Sequence, residues 1–402
     1  MMKNILFVDD DEQFLDGLKV LLHRRRKQWD MYFAANAREA LDIMSSQAFD
    51  IVVADMRMPG MSGADLLTEV QRLQPGAVRI ILSGYSELRA SYKAAKPAHQ
   101  FLSKPCRFED LVAAIERVIR LQRVLNDPGV RQTVSGIGAL PALPDTYFRI
   151  MEELRKPEPS VQVLGDLVAR DVGISATLLK LVNSSFFGFF QHVASPRRAV
   201  TLLGTETLKG LVLGAHLLAG LDLSQFAPFA LERLWDHSLR AAAFARCIAQ
   251  AEGLDQTMQE ECWCAGLLHD TGKLILATER KADYVKVLDQ IQRGKLMVEA
   301  EREVIGSNHA DVGAFLLGLW GVSENVVEAV YDHHDLGRSE LTGFHPGVAV
   351  HVADRLEHIQ AGDADIGLYP SLDMEWLRGQ GLAERVDAWT QACREMEGEE
   401  SA

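Results

Sequence analysis

Residues 49–60, FDIVVADMRMPG, hold four consecutive apolar side chains, Ile51 to Ala54, that end on Asp55, with Pro59-Gly60 close behind. A short apolar run bounded by turn residues is the pattern of a strand buried on both faces. Working outward, NILFV (4–8), DMYFAAN (30–36), VRIILSG (78–84) and HQFLSKP (99–105) repeat the pattern. Each leads into a stretch with helical spacing, such as Phe14, Leu18, Leu21 and Leu22, or AREALDIMSS (37–46). Five strand–helix repeats predict an α/β doubly wound, five-stranded parallel sheet over residues 1–124.

RFEDLVAAIERVIRLQRVL (107–125) reads as a long amphipathic helix ending at NDPG. Pro128, Gly129, Gly136 and Gly138 then mark residues 125–137 as a linker. Beyond it the spacing is helical almost throughout, over 145–156, 160–170, 174–184, 195–203, 205–220, 228–252, 257–279, 281–293, 297–319, 323–334 and 348–360. An all-α domain is expected over 138–337, a helical extension packing on it over 338–392, and a disordered polar tail over 393–402.

The net charge of −14 is unevenly placed: residues 1–120 carry 17 Lys+Arg against 16 Asp+Glu, and the rest 25 against 40. That acidic second half argues against nucleic acid as the ligand, and no basic recognition helix is evident. No apolar run approaches the ~20 residues that span a bilayer, and the N-terminus has no apolar signal region, so a cytoplasmic chain is expected. The five cysteines, Cys106, Cys247, Cys262, Cys264 and Cys393, are too scattered for a zinc ribbon and read as buried thiols.

Ligands of such sheets bind outside the carboxyl ends of the strands. Here those ends carry Asp9-Asp10, Asp55, Ser83 and Lys104. Three carboxylates at one edge repel unless a hard cation joins them, and Mg²⁺ suits a few carboxylates with water and phosphate oxygens. An aspartate beside such a cation can attack a phosphoryl donor, while Lys104 and the Ser83 hydroxyl receive the oxygens of the transferred group.

FVDDD, VVADMRMPGMSG, IILSGY and FLSKP resemble the receiver domain of bacterial two-component response regulators, over about residues 3–122. The resemblance implies Asp55 as phosphoacceptor, Mg²⁺ held by Asp9, Asp10, Asp55 and the Arg57 carbonyl, and Ser83 and Lys104 as phosphoryl sensors. Phe101 stands where that family has its aromatic switch. The implied partner is a sensor histidine kinase, and the helix over 107–122 lies on the family's usual output or dimer face, so a homodimer is an expectation.

In the helical half, His237, His269-Asp270, His309, His333-His334 and Asp354 offer imidazole and carboxylate ligands suited to Fe, Mn or Zn. Several such ligands can hold two metals, the arrangement that activates hydroxide against a phosphodiester, and Lys273 could neutralise the scissile phosphate. His192, His216, His345, His351 and His358 read as ordinary partnered histidines, with a hydrogen-bonded His351–Asp354–His358 cluster as an alternative. The aromatic run SSFFGFF (184–190) reads as core or domain interface.

The set resembles the HD phosphohydrolase superfamily, whose signature is H…HD…D. The blocks LPALP (140–144), LLKLVNSSFFGFF (178–190) and AVTLLGTETLKGLVL (199–213) look more specifically like the HDOD domain, a regulatory relative. The related HD-GYP phosphodiesterases follow their HH pair with a Gly-Tyr-Pro loop, which HHDLGRSELTGFHPG (333–347) does not contain. Position 233, where some relatives carry a metal-binding Glu, is Arg. The resemblance thus implies a receiver controlling an HDOD signalling and interaction domain with an unknown downstream protein. The alternative is a phosphorylation-regulated metal phosphodiesterase acting on a cyclic dinucleotide such as cyclic di-GMP.

Overall fold

The computed structural model describes residues 2–84, 98–104, 108–124, 145–154, 158–169, 195–204, 207–213, 231–319, 322–338, 341–360 and 371–400, with a few single residues between. Elements below are numbered over these. The chain divides into two units, with the change near residue 142.

In the first unit the strands are Lys3–Val8 (β1), Trp29–Ala34 (β2), Ile51–Asp55 (β3), Val78–Gly84 (β4) and Gln100–Lys104 (β5). They form one parallel sheet in the order β2-β1-β3-β4-β5. Helices Glu12–Leu21 (α1), Ala37–Met44 (α2), Gly63–Leu73 (α3) and Phe108–Val124 (α4) accompany it. The first three start at side-chain caps: Asp11, Asn36 and Ser62 accept the backbone N–H groups of Phe14, Glu39 and Asp65. The apolar runs are continuous because both faces are covered: Ile5–Val8 and Ile51–Ala54 are at most 1% exposed. Each such Ile, Leu, Phe or Val side chain contributes roughly 1.5–3 kcal/mol on burial. Because β1 lies between β2 and β3, the chain reverses direction across the sheet there, and Asp9 and Asp55 end the two strands that flank the crevice.

One polar pair lies inside this unit. Arg79 in β4 is 1% exposed and His99 6%. The Arg79 Nη2 approaches His99 Nε2 at 2.5 Å, and the His99 N–H donates to the Arg79 carbonyl at 2.7 Å. Burial, then the neighbouring guanidinium, hold His99 well below 6.5. The folded chain therefore refuses a proton that the unfolded chain accepts below about 6.5, so this contribution is present above that pH and lost as pH falls. Urea unfolding between pH 7.5 and 5.5 is expected to show wild type losing up to about 1.4 kcal/mol more per pH unit than His99→Gln. Parallel slopes in the two proteins contradict it.

The second unit is helical: Asp145–Leu154 (α5), Val161–Ala169 (α6), Pro196–Leu203 (α7), Leu231–Ala251 (α8), Gln256–Leu268 (α9), Thr271–Glu279 (α10), Lys281–Gln292 (α11), Met297–Ile305 (α12), His309–Leu319 (α13), Glu324–Asp332 (α14), Pro346–Gln360 (α15), Met374–Gly379 (α16) and Val386–Glu400 (α17). Among them, α8, α9 and α15 pack mutually and α14 closes on α9 and α15.

Three sequence expectations are corrected here. The stretch 257–279 is two helices, because Asp270 leaves helical geometry at φ −94°, ψ 6° between α9 and α10. The stretch 297–319 is also two: Gly306 at φ 91° ends α12, and the Asn308 side chain accepts the Asp311 N–H at 2.9 Å to begin α13. The tail expected to be disordered from 393 is helical through Glu400. Trp389 and Cys393, one turn apart, are buried at 1% and 0%, and Trp389 Nε1 donates to Glu252 at 2.9 Å. Two anchored side chains outweigh the polar composition around them. SSFFGFF, LPALP and most of the linker lie outside the described residues.

Candidate functional site

At the carboxyl edge of the sheet, Lys104 from the end of β5 spans the strand ends. Its Nζ donates to Asp9 Oδ2 at 2.6 Å and also contacts Asp55 Oδ1. The backbone N–H of Arg57 donates to the other Asp55 oxygen at 2.7 Å, and the Asp11 N–H donates to Asp9 Oδ1 at 3.0 Å. Burial raises the Asp9 carboxyl above its ordinary value despite its hydrogen bonds to Lys104 and Asp11. Lys104 is shifted the opposite way from its own desolvation: its bonds to Asp55 and Asp9 raise it. Ser83 is fully buried at the end of β4, and Asp10 is exposed next to Asp9. The Phe101 backbone pairs with Ile81, while its side chain lies outside the described residues. The arrangement is one ammonium holding two carboxylates that would otherwise repel.

In the helical unit the seven residues predicted from sequence converge. α8 supplies His237, the α9–α10 junction His269 and Asp270, the start of α13 His309, the end of α14 His333 and His334, and α15 Asp354. The outer ring nitrogens are anchored. Nδ1 of His269 meets the Gly266 carbonyl at 2.7 Å, that of His333 the Val330 carbonyl at 2.6 Å, and that of His309 Glu301 Oε2 at 2.7 Å. Nδ1 of His237 contacts Glu357 Oε2, which belongs to a carboxylate also held by Arg240. With Nδ1 as donor, Nε2 is left as the lone-pair atom facing inward.

Those inner atoms crowd together. His237 Nε2 lies 3.1 Å from His269 Nε2 and 3.2 Å from Asp354 Oδ1, and Asp270 Oδ1 lies 3.4 Å from both His269 and His309 Nε2. His334 Nε2 lies 2.8 Å from His309 Nε2. Each such nitrogen pair needs a proton or a cation between its lone pairs. Asp270 Oδ1 and His333 Nε2 are moreover buried without a hydrogen-bond partner. Metal–ligand bonds of about 2.1 Å put neighbouring ligand atoms roughly 3.0–3.4 Å apart, so the donor set fits a cation. His237, His269 and Asp270 form one candidate group and His309, His333 and His334 another.

Burial disfavours charge on Asp270, but His269, Lys273, His309 and His237 together hold its carboxyl well below 3.8. Burial would lower His237, yet its bonds to Asp354 and Glu357 raise it to about 10. Burial keeps His333 and His334 well below 6.5. Lys273 Nζ donates to Asp270 Oδ2 at 2.6 Å and is 4% exposed, so in this geometry it partners Asp270.

Glu301, Glu357 and Arg240 were not singled out from sequence. Arg240 and Glu357 lie three residues from His237 and Asp354, a helical spacing that could have flagged them, whereas Glu301 reaches His309 from another helix. His358, read as an ordinary histidine or as part of a His351–Asp354–His358 cluster, lies 3.4 Å from Asp354 Oδ1 and stacks on His237 at 4.6 Å. His351 is structural: its Nδ1 donates to the His333 carbonyl at 2.8 Å and its Nε2 accepts the Asp373 N–H at 3.0 Å.

The two halves of the cluster meet through Gly272. A Cβ there would lie 1.9 Å from the His309 carbonyl oxygen. Gly272→Ala is expected to cost about 3 kcal/mol or more, because backbone rather than a flexible side chain must move. Thermal unfolding checks it; an unchanged midpoint would show that α10 and α13 separate freely.

Fold and site together define a two-part protein, a doubly wound unit with an acid-and-lysine edge joined to a helical His/Asp unit. The response regulator receiver domain family matches residues 5–116, and the HDOD domain family matches residues 140–336. The chain belongs to the response regulators that carry a receiver domain and an HDOD domain. It is 29% identical over 202 residues to an uncharacterised protein of Treponema pallidum (strain Nichols), covering 50% of this chain and 38% of that protein. It is 33% identical over 173 residues to the DNA-binding transcriptional regulator NtrC of Escherichia coli (strain K12), covering 41% and 36%. The chain thus spans little more than a third of the length of these curated relatives. An HDOD domain protein from Geobacter sulfurreducens is similar at 23% identity, 69% of this chain, 99% of that chain and a TM-score of 0.49. A receiver domain protein from Clostridium thermocellum is similar at 32% identity, 31% and 99% coverage and a TM-score of 0.29. Among the described residues no helix is long and apolar enough to cross a membrane.

Proposed function

We propose that Asp55 accepts a phosphoryl group and that its phosphorylation controls what the HDOD domain presents to a downstream protein. The observation that carries this reading is Lys104, which bridges Asp9 and Asp55 at the carboxyl edge. Asp9, Asp10, Asp55 and the Arg57 carbonyl would hold Mg²⁺, and Ser83 and Lys104 would receive the phosphoryl oxygens. Bound Mg²⁺ supplies charge neutralisation of the incoming phosphate. A receiver domain implies a phosphodonor such as a histidine kinase. Phosphorylation biases an equilibrium between existing conformations of the receiver's switch, in which Phe101 is assigned the aromatic role. The test compares wild type and Asp55→Asn, each with acetyl phosphate and Mg²⁺. Sedimentation and protease protection of the HDOD domain are expected to change only in the wild type. Identical responses of the two proteins reject the reading.

A second reading is favoured by the orphaned atoms Asp270 Oδ1 and His333 Nε2. Here the cluster binds Fe, Mn or Zn through His237, His269, Asp270, His309, His333, His334 and Asp354, and hydrolyses a phosphodiester. A bound metal pair would supply an activated hydroxide. The protein's own residues orient the ligands through Glu301 and Glu357 and keep the centre dry. Binding and turnover are separable claims, and the donor set supports the first more directly.

A further inference from the structure

The signature ligands leave one imidazole of the cluster without a role. His358 sits on α15 one turn beyond Asp354 and is 4% exposed. Its ring stacks on His237 at 4.6 Å with 26° between planes. The two rings also point the same way. Each presents Nε2 to Asp354 Oδ1, at 3.2 Å for His237 and 3.4 Å for His358. Each turns Nδ1 toward Glu357 Oε2, in hydrogen-bond contact for His237 and at 3.9 Å for His358. The ligand atoms of His237, Asp354 and His358 lie within 4.8 Å of one another, and all three residues are buried.

Glu357 and Asp354 already fix both nitrogens of His237, so His358 is not needed to orient that ring. What His358 adds is a second imidazole aimed at the same carboxylate oxygen, from the same side and in the same orientation. We infer that His358 is a further metal ligand, completing with His237 and Asp354 the coordination of the ion at the α8–α15 end of the cluster. The inference rests on the metal-binding reading of that site. It extends the ligand set one helical turn past the last residue of the H…HD…D signature. The rival role for His358 is a buried partner of Asp354 that competes with an incoming cation.

The two roles predict opposite signs. The full chain is stripped with chelator and titrated with Co²⁺, used as the probe. If His358 is a ligand, His358→Ala weakens Co²⁺ binding by at least about tenfold. If it is a competing partner, the same change leaves binding equal or tightens it. A positive readout comes from His358→Cys. A thiolate at a ligand position adds a sulfur-to-cobalt charge-transfer band that the wild type, with its own cysteines, lacks. The band together with weakened binding in the alanine variant supports the assignment. Cobalt bound to His358→Cys without the band overturns it. Should the cysteine variant fail to fold, the sign of the alanine effect decides alone. Wild type that binds no Co²⁺ removes both this inference and the metal reading beneath it. Wild type that binds while His358→Ala binds equally well removes only the inference.

Discussion

Asp55→Asn is expected to take up no phosphoryl group from acetyl phosphate, while the wild type becomes labelled in the presence of Mg²⁺. The reaction needs a carboxylate oxygen to attack phosphorus, with acetate leaving and an acyl phosphate forming on Asp55. An amide nitrogen or oxygen at the same place is too weak a nucleophile, although it preserves shape. Lys104→Ala tests the electrostatic half of the argument. Its ammonium offsets Asp9 and Asp55 in the free site and is positioned to meet the phosphoryl oxygens afterwards. Removing such a preorganised donor costs about 10²-fold in rate. Phosphate-affinity electrophoresis over a time course measures both effects. Labelling of Asp55→Asn at the wild-type rate would place the acceptor elsewhere.

The second large effect concerns the helical cluster. Purified wild type is expected to retain a transition metal, and Asp270→Asn to lose most of it. Asp270 lies within 3.4 Å of the inner nitrogens of both His269 and His309, so it is the residue common to the two halves. Loss of an orienting partner such as Glu301 costs roughly 10–100-fold in metal affinity, and loss of the shared ligand should exceed that. Stability follows by mass action: metal at 100 times its Kd contributes about 2.7 kcal/mol, which chelator removes. Elemental analysis and thermal unfolding with and without chelator read these outcomes. A wild-type protein that is metal-free, and whose unfolding midpoint ignores added Mn²⁺, Fe²⁺ and Zn²⁺, ends the metal reading.

Much of this was legible in the residues themselves. Parallel strands covered on both faces leave no polar alternation, so Ile51–Ala54 and its counterparts stand out as unbroken apolar runs, and Asp9, Asp55 and Lys104 fall at their ends. The His and Asp set was legible because residue type narrows metal chemistry. The helix breaks at Asp270 and Gly306 were not, since apolar spacing continues on either side and the cause is a cap or a junction. Glu301 and Glu357 were missed for a different reason, and His358 was read only as an ordinary histidine or a neighbour of Asp354 on its own helix. Their roles arise from which helix packs against which, and a lone His or Glu on a helix is ordinarily a surface or core residue. The anchoring of Trp389 and Cys393 was hidden by the acidic residues around them.

His351 gives the C-terminal segment a meaning beyond packing. One ring joins the His333 carbonyl, at the turn that carries the paired histidines, to the backbone N–H of Asp373, which begins α16. That single amide is therefore a sentinel for the geometry of the HH turn. Solvent hydrogen reaches it only when the imidazole lets go, so its exchange rate times the opening of the joint that this one ring makes with the HH turn.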